Sequence, residues 1–236
     1  MSSPHFRALA KAAAALYPRR DRFARHFAFG KLTGDPAFEH ILRHGLIPRV
    51  SRLLDLGCGQ GVLAALLRAA RESAAAGRWP PDWAPPPDPR EMRGIELMAK
   101  DAARANGIGH GATVRGDIRT TPFPASDAVV ILDVLHYVDY DAQRDVLRRV
   151  RDALAGGGVL LLRVGDEAAT WRFRFTVAVD RLVMALRGHR LERLYCRPLA
   201  HWVAELEKLG FAVSPRPMSE GTPFANVLLV ARYDSR

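Results

Sequence analysis

Residues 52–67 read RLLDLGCGQGVLAALL, from Arg52 to Leu67, and their order decides the fold. The run from Val50 to Leu56 is rich in leucine and ends in Asp-Leu-Gly, which predicts a buried strand entering a turn. Gly57, Gly59 and Gly61 follow, and Gly61 to about Ala76 has the alanine and leucine content of a helix. Glycines let the backbone turn tightly and approach a ligand with no Cβ in the way. In open α/β sheets, ligands bind at the carboxyl ends of strands. Dinucleotide sites space their glycines G-x-G-x-x-G. Here the spacing is G-x-G-x-G, with Asp55 just before it. A carboxylate there suits a cationic ligand, such as an amino-acid ammonium or a sulfonium, better than a pyrophosphate.

Working outward, strands and helices alternate. Arg93 to Leu97 predicts a strand, and Met98 to Asn106 a helix stopped by Asn106-Gly107. Ala112 to Arg115 is a short strand, and Asp127 to Leu132 an apolar strand covered on both faces. Asp141 to Leu154 predicts a helix capped by Asp141 and stopped at Gly156-Gly157-Gly158. Val159 to Val164 is a further buried strand, and Leu199 to Leu209 a helix ending at Gly210. Phe211 to Ser214 and Val227 to Tyr233 are two last strands without a crossover helix, hence an antiparallel hairpin. The class is therefore α/β: a mostly parallel sheet with helices on both faces. Residues 77–93, GRWPPDWAPPPDPREMR, carry six prolines and predict an extended surface loop.

The 236 residues suffice for one full-sized domain and are short for two. With 48% hydrophobic and 25% charged residues, disorder, a collagen-like fibre and a disulfide miniprotein are excluded. No apolar run approaches the ~20 residues of a membrane helix. Two cysteines, Cys58 and Cys196, lack metal-ligand spacing, so no metal site is expected and a reducing cytoplasm is the default. The net charge of +10 is unevenly spread. Residues 1–50 hold nine basic against three acidic side chains, and residues 168–198 seven against two. Such clustering points to an anionic partner or to a solvated basic surface.

The glycine turn resembles motif I of the class I S-adenosylmethionine-dependent methyltransferases, and later segments resemble that family in order. The resemblance covers residues 50–165 and 199–233. It implies a Rossmann-like sheet of seven strands whose final hairpin is antiparallel, and S-adenosylmethionine as cofactor. It gives Asp55, Gly57, Cys58, Gly59 and Gly61 to the cofactor turn. Glu96 in GIEL matches the acid that holds both ribose hydroxyls, with Leu97 beside it. Asp117 in RGDI matches the residue accepting from the adenine amino group, with Ile118 against the ring. Asp133 in LDVLHYV matches the segment facing the methyl group. Bidentate acceptance of vicinal hydroxyls is within the capacity of a carboxylate such as Glu96.

His136, three residues after Asp133, is the catalytic candidate; it reads equally as a base or as a residue packing over the cofactor. Tyr137 and Tyr140 line the acceptor side or simply pack. Lys31 is a candidate for the cofactor carboxylate or an anionic acceptor. The expected organisation is a helical extension over 1–49 and a methyltransferase domain over 50–236. The domain carries the proline-rich insertion 77–93 and a basic lid insertion 168–198. In the lid, Trp171, Phe173 and Phe175 alternate with Arg172 and Arg174, before a helix over Val177 to Leu186.

The expected reaction is methyl transfer to a small aromatic or polyketide-like acceptor in a biosynthetic pathway. The segments GKLTGDPAF (30–38) and MSEGTPFANVLLVA (218–231) resemble methyltransferases of aryl-polyene and fatty-acid-like clusters. That resemblance implies a hydroxyaryl acceptor on an acidic acyl carrier protein, which a basic rim would suit. The alternatives are an RNA or other nucleic-acid methyltransferase and a non-catalytic S-adenosylmethionine-binding protein. No N-P-P-Y-type segment supports the former, and the intact acids argue against the latter. A dehydrogenase fits the glycine spacing poorly.

Overall fold

Along the central strands the side chains sort by parity into two cores. Ala128, Val130, Val159 and Leu161 pack on one side of the sheet, Val129, Ile131, Leu160 and Leu162 on the other. A strand buried on both faces reads as an unbroken apolar run for this reason. The computed structural model describes residues 2–49, 51–165, 194–218 and 226–234.

The strands are β1 (Arg52–Leu56), β2 (Glu91–Glu96), β3 (Ala112–Arg115), β4 (Ser126–Leu132), β5 (Leu154–Gly165), β6 (Phe211–Pro217) and β7 (Asn226–Tyr233). They form one sheet in the order β3-β2-β1-β4-β5-β7-β6. β1 to β5 are parallel, and β7 runs antiparallel to both β5 and β6. The expected seven-stranded α/β sheet with its closing hairpin is therefore present. The strand order reverses between β1 and β4, which opens a crevice at their carboxyl ends.

The helices are α1 (Pro4–Ala15), α2 (Arg22–Gly34), α3 (Pro36–Arg43), α4 (Val62–Ala75), α5 (Ala99–Gly107), α6 (Tyr140–Ala153) and α7 (Leu199–Lys208). Helices α1 to α4 build one layer; α6 and α7 build the other. Ser3 and Asp35 cap α1 and α3 through their side chains, with proline at the first turn of each. None of these helices is long and apolar enough to cross a membrane.

Three local expectations are corrected. Asp139, not Asp141, caps α6, accepting from the Ala142 N–H at 2.8 Å. The glycines 156–158 do not follow a helix end: Leu154 is already extended and pairs with Ser126, so β5 begins there. The proline-rich stretch is not simply a surface loop. It ends in β2 from Glu91, and Trp79 and Trp83 pack edge-on against His5 of α1, with ring centroids 5.9 and 5.2 Å away. Proline bars that stretch from the sheet ladder, but indole rings still seek apolar cover. The aromatic and helical readings over 171–186 lie outside the described residues, as does the lid insertion before Leu194.

Candidate active site

The turn after β1 is built by backbone hydrogen bonds to the neighbouring strand. The N–H groups of Gly57 and Cys58 donate to the Ile95 carbonyl at 2.8 and 3.3 Å. Gly61 opens α4 at φ +82°, and a Cβ there would sit 2.9 Å from the Ala105 backbone. Glycine is therefore obligatory at that position. A Cβ on Gly59 would meet nothing within 4 Å, so the turn faces open space. Cys58 lies against Thr113, and burial followed by the Asp55 charge pushes its thiol up, which makes it unreactive.

An acidic side chain borders that space. Glu96, at the end of β2, accepts from the Gly59 N–H and the Met98 N–H, both at 2.8 Å. A carboxylate has about four lone-pair positions, so two stay available for hydroxyl donors. Leu97, next to it, is 57% exposed, an apolar platform at the rim. Asp55 is buried, and burial together with the Glu96 charge pushes its carboxyl up to about 7. Such a group favours a cationic partner. Asp117 follows β3, but its oxygens already accept from the Arg119 guanidinium at 2.6 to 3.0 Å, which lowers its pKa. Ile118 is buried.

At the end of β4 the arrangement is different. Asp133 is the one non-glycine residue at positive φ among the described residues, at +59°. Lys31 of α2 donates to its carboxylate at 2.9 Å, and the Arg163 Nε of β5 at 2.7 Å. The Arg163 guanidinium also bonds Asp35, which lies 3.2 Å from Lys31. Burial alone would raise Asp133; the Arg163 and Lys31 charges instead hold it far below the usual carboxylate range. His136 sits in the short 3-10 turn Leu135–Tyr137 just beyond. Burial lowers its imidazole to about 4, against the pull of Asp133. Tyr137 stacks obliquely on it at 4.1 Å, and Tyr140 donates to the Cys196 carbonyl at 3.0 Å.

Lys31 is thus an ion-pair partner of Asp133 and Asp35. Three participants escape the sequence reading: Asp35, Arg163 and Gln60. The Gln60 side chain donates to the Ala24 carbonyl at 2.8 Å while its backbone carbonyl accepts from Tyr17, tying the glycine turn to the N-terminal segment. Arg163 carries a legible signal. Parity along β5 puts it on the same face as Val159 and Leu161, and a buried arginine needs acidic partners. Among the described residues no group of three or more His, Cys, Asp or Glu side chains could hold a metal ion.

A family model described as a methyltransferase domain matches residues 21–214. Solved structures share the fold. An O-methyltransferase family protein from Burkholderia thailandensis is 21% identical with a TM-score of 0.59, over 92% of this chain and 60% of that one. Human N-acetylserotonin methyltransferase in complex with S-adenosylmethionine is 14% identical with a TM-score of 0.60, over 100% of this chain and 60% of its own. Magnesium protoporphyrin IX methyltransferase from Synechocystis PCC 6803 with bound S-adenosylhomocysteine is 16% identical with a TM-score of 0.54, over 78% and 74%. No curated protein matches the chain by sequence.

Proposed function

The chain belongs to the methyltransferase-domain family whose model it matches, and on that premise we propose that it methylates a small aromatic or polyketide-like acceptor using S-adenosylmethionine. The observation that carries the reading is Asp55, a buried carboxylate pushed up to about 7 beside a turn that opens into free space. An amino-acid ammonium would supply the counter-charge for a group whose charged neighbour, Glu96, is itself an anion. Glu96, held by two backbone N–H groups, would accept the ribose hydroxyls, and Leu97 would lie against the base. Asp117 would accept from the adenine amino group once Arg119 yields an oxygen. The cofactor supplies an activated methyl when bound.

The protein's share is then mainly alignment of the acceptor, which can lower a barrier by roughly 7–11 kcal/mol. His136 is held near 4 by burial and so is neutral at pH 7. It suits the acceptance of a hydrogen bond from an acceptor hydroxyl better than full deprotonation of a phenol. The N-terminal segment, with nine basic side chains in residues 1–50, would form the rim that an acidic carrier protein approaches.

Calorimetry with S-adenosylmethionine and S-adenosylhomocysteine tests the cofactor assignment. Saturable binding of both is expected, and failure of both to bind folded protein overturns it. Mass spectrometry of free and carrier-bound hydroxyaryl acceptors tests the acceptor class. A mass gain of one methyl is expected, and none on any such acceptor rejects the class.

A further inference from the structure

Four charges converge where the α2–α3 segment meets the sheet: Lys31 and Asp35 from the helices, Asp133 from the end of β4, Arg163 from β5. Arg163 is 1% exposed and Asp35 8%, so neither is a surface ornament. The two cations and two anions cancel. The Arg163 guanidinium spans both carboxylates, Asp133 on one side and Asp35 on the other. Its planar fork puts separate N–H donors on the two carboxylates, while the Lys31 ammonium reaches the same pair from α2 at 2.9 and 3.2 Å. Asp35 serves twice, since its other oxygen caps α3 by accepting from the Ala37 N–H at 3.1 Å. The β4–β5 register places Leu132 opposite Arg163, so the arginine lies beside the strand end that carries Asp133.

We propose that Arg163 is a positioning residue that fastens the α2–α3 segment over the methyl-facing end of β4 by bridging Asp35 and Asp133. In this role Arg163 need not touch the acceptor. It fixes Asp133 in its left-handed conformation and occupies its charge. His136 then faces a neutralised neighbourhood: Asp133 from β4, Lys31 from α2 and Arg163 from β5, with Tyr137 against its ring and the Tyr195 N–H on its carbonyl. The placement of Asp133 beside the methyl rests on the methyltransferase reading; the bridge itself does not.

The test uses the full chain with Arg163→Met, Arg163→Lys and Asp35→Asn. Hydrogen exchange in residues 22–43 should quicken at least tenfold in Arg163→Met and Asp35→Asn, while the centres of β1 and β4 remain the slowest-exchanging segments. The His136 imidazole, assigned in the NMR spectrum by its loss in His136→Gln, should titrate at higher pH in Arg163→Met. Removing that cation leaves Asp133 to act on it less opposed. Arg163→Lys should restore part of both effects. Unchanged exchange in Asp35→Asn overturns the proposal, and so does an unmoved His136 titration in folded Arg163→Met. If Arg163→Met does not fold, Arg163→Lys decides together with Asp35→Asn, whose asparagine keeps the helix cap: exchange over residues 22–43 as slow in both as in the unaltered chain overturns the proposal. S-adenosylhomocysteine binding to the unaltered chain is measured beside these, so a failed methyltransferase reading is told apart from a failed bridge.

Discussion

Asp55 and Asp133 stand at the carboxyl ends of two paired strands, β1 and β4, yet they are opposite electrostatic objects. In the β1–β4 register Asp55 lies opposite Val130, three residues before Asp133, so the two acids stand at different heights along adjacent strands. Asp55 has burial and a second carboxylate against it and is pushed up to about 7. Asp133 is half-buried and has desolvation against it too, but two cations overrule it. Depth in the protein does not by itself set a carboxylate's charge state; the sign of its neighbours does. The end of β1 is left hungry for positive charge, and the end of β4 is already neutral.

The sharpest way to break this comparison is Arg163→Met. It takes from Asp133 and Asp35 the buried one of the two cations they share, leaving Lys31, and should cost about 3 kcal/mol of stability in denaturant unfolding at neutral pH, the low end for broken buried pairs. A loss under about 1 kcal/mol would put the two acids on equal terms.

Next comes pH. The folded-state pKa of Asp55 lies above its ordinary 3.8. The folded chain therefore holds that proton more tightly, and the stability it lends is complete below ~4 and fades as pH rises through 7. Asp133 is displaced downward, so its contribution is present above its ordinary 3.8 and fades only on acidification. Asp55→Asn should flatten the decline between pH 5 and 8. It should also raise ligand-free stability at pH 8 by a few kcal/mol, because each tenfold change in proton affinity is worth about 1.4 kcal/mol. In the unaltered chain, S-adenosylhomocysteine should bind more tightly at pH 8 than at pH 6, because its ammonium selects ionised Asp55. Calorimetry at several pH values reads this directly, and Asp55→Asn should abolish the trend.

Glu96→Ala removes a charged acceptor worth roughly 1.5–3 kcal/mol per hydrogen bond. Binding of S-adenosylhomocysteine should weaken at least tenfold by calorimetry. The smallest effect belongs to Arg119→Ala. Its pair with Asp117 is half-exposed and worth under about 1 kcal/mol in thermal unfolding. Freed of it, Asp117 should hold the nucleoside equally well or slightly better.

Much of the cradle is legible in the sequence because its signals are local. A strand, three glycines and a helix in 16 residues leave few alternatives, and Glu96 ends a short strand of its own. On the neutral side the parity of β5 marks Arg163 as needing an acidic partner, but which acids it finds is opaque because the cluster is assembled across distance: Lys31 and Arg163 are joined through Asp133, which lies 102 positions from the lysine. Lys31 reads in the sequence as a cation for an anionic ligand, and in the fold the chain's own carboxylates already partner it. Asp35 looks like an ordinary cap, which it is, and its second role has no sequence mark. The misplaced start of α6 and β5 has a simpler origin: two aspartates two residues apart both look like caps, and a triple glycine reads as a stop even where a strand accommodates it.

The packing of the proline-rich insertion carries a practical consequence for following the molecule by light. Trp79 and Trp83 belong to the layer that holds α1 to α4, while Trp202 is buried in the layer of α6 and α7. Among the described residues each sheet face therefore owns an indole fluorophore, and emission from variants that lack Trp171 and keep one set or the other would report on the two layers separately.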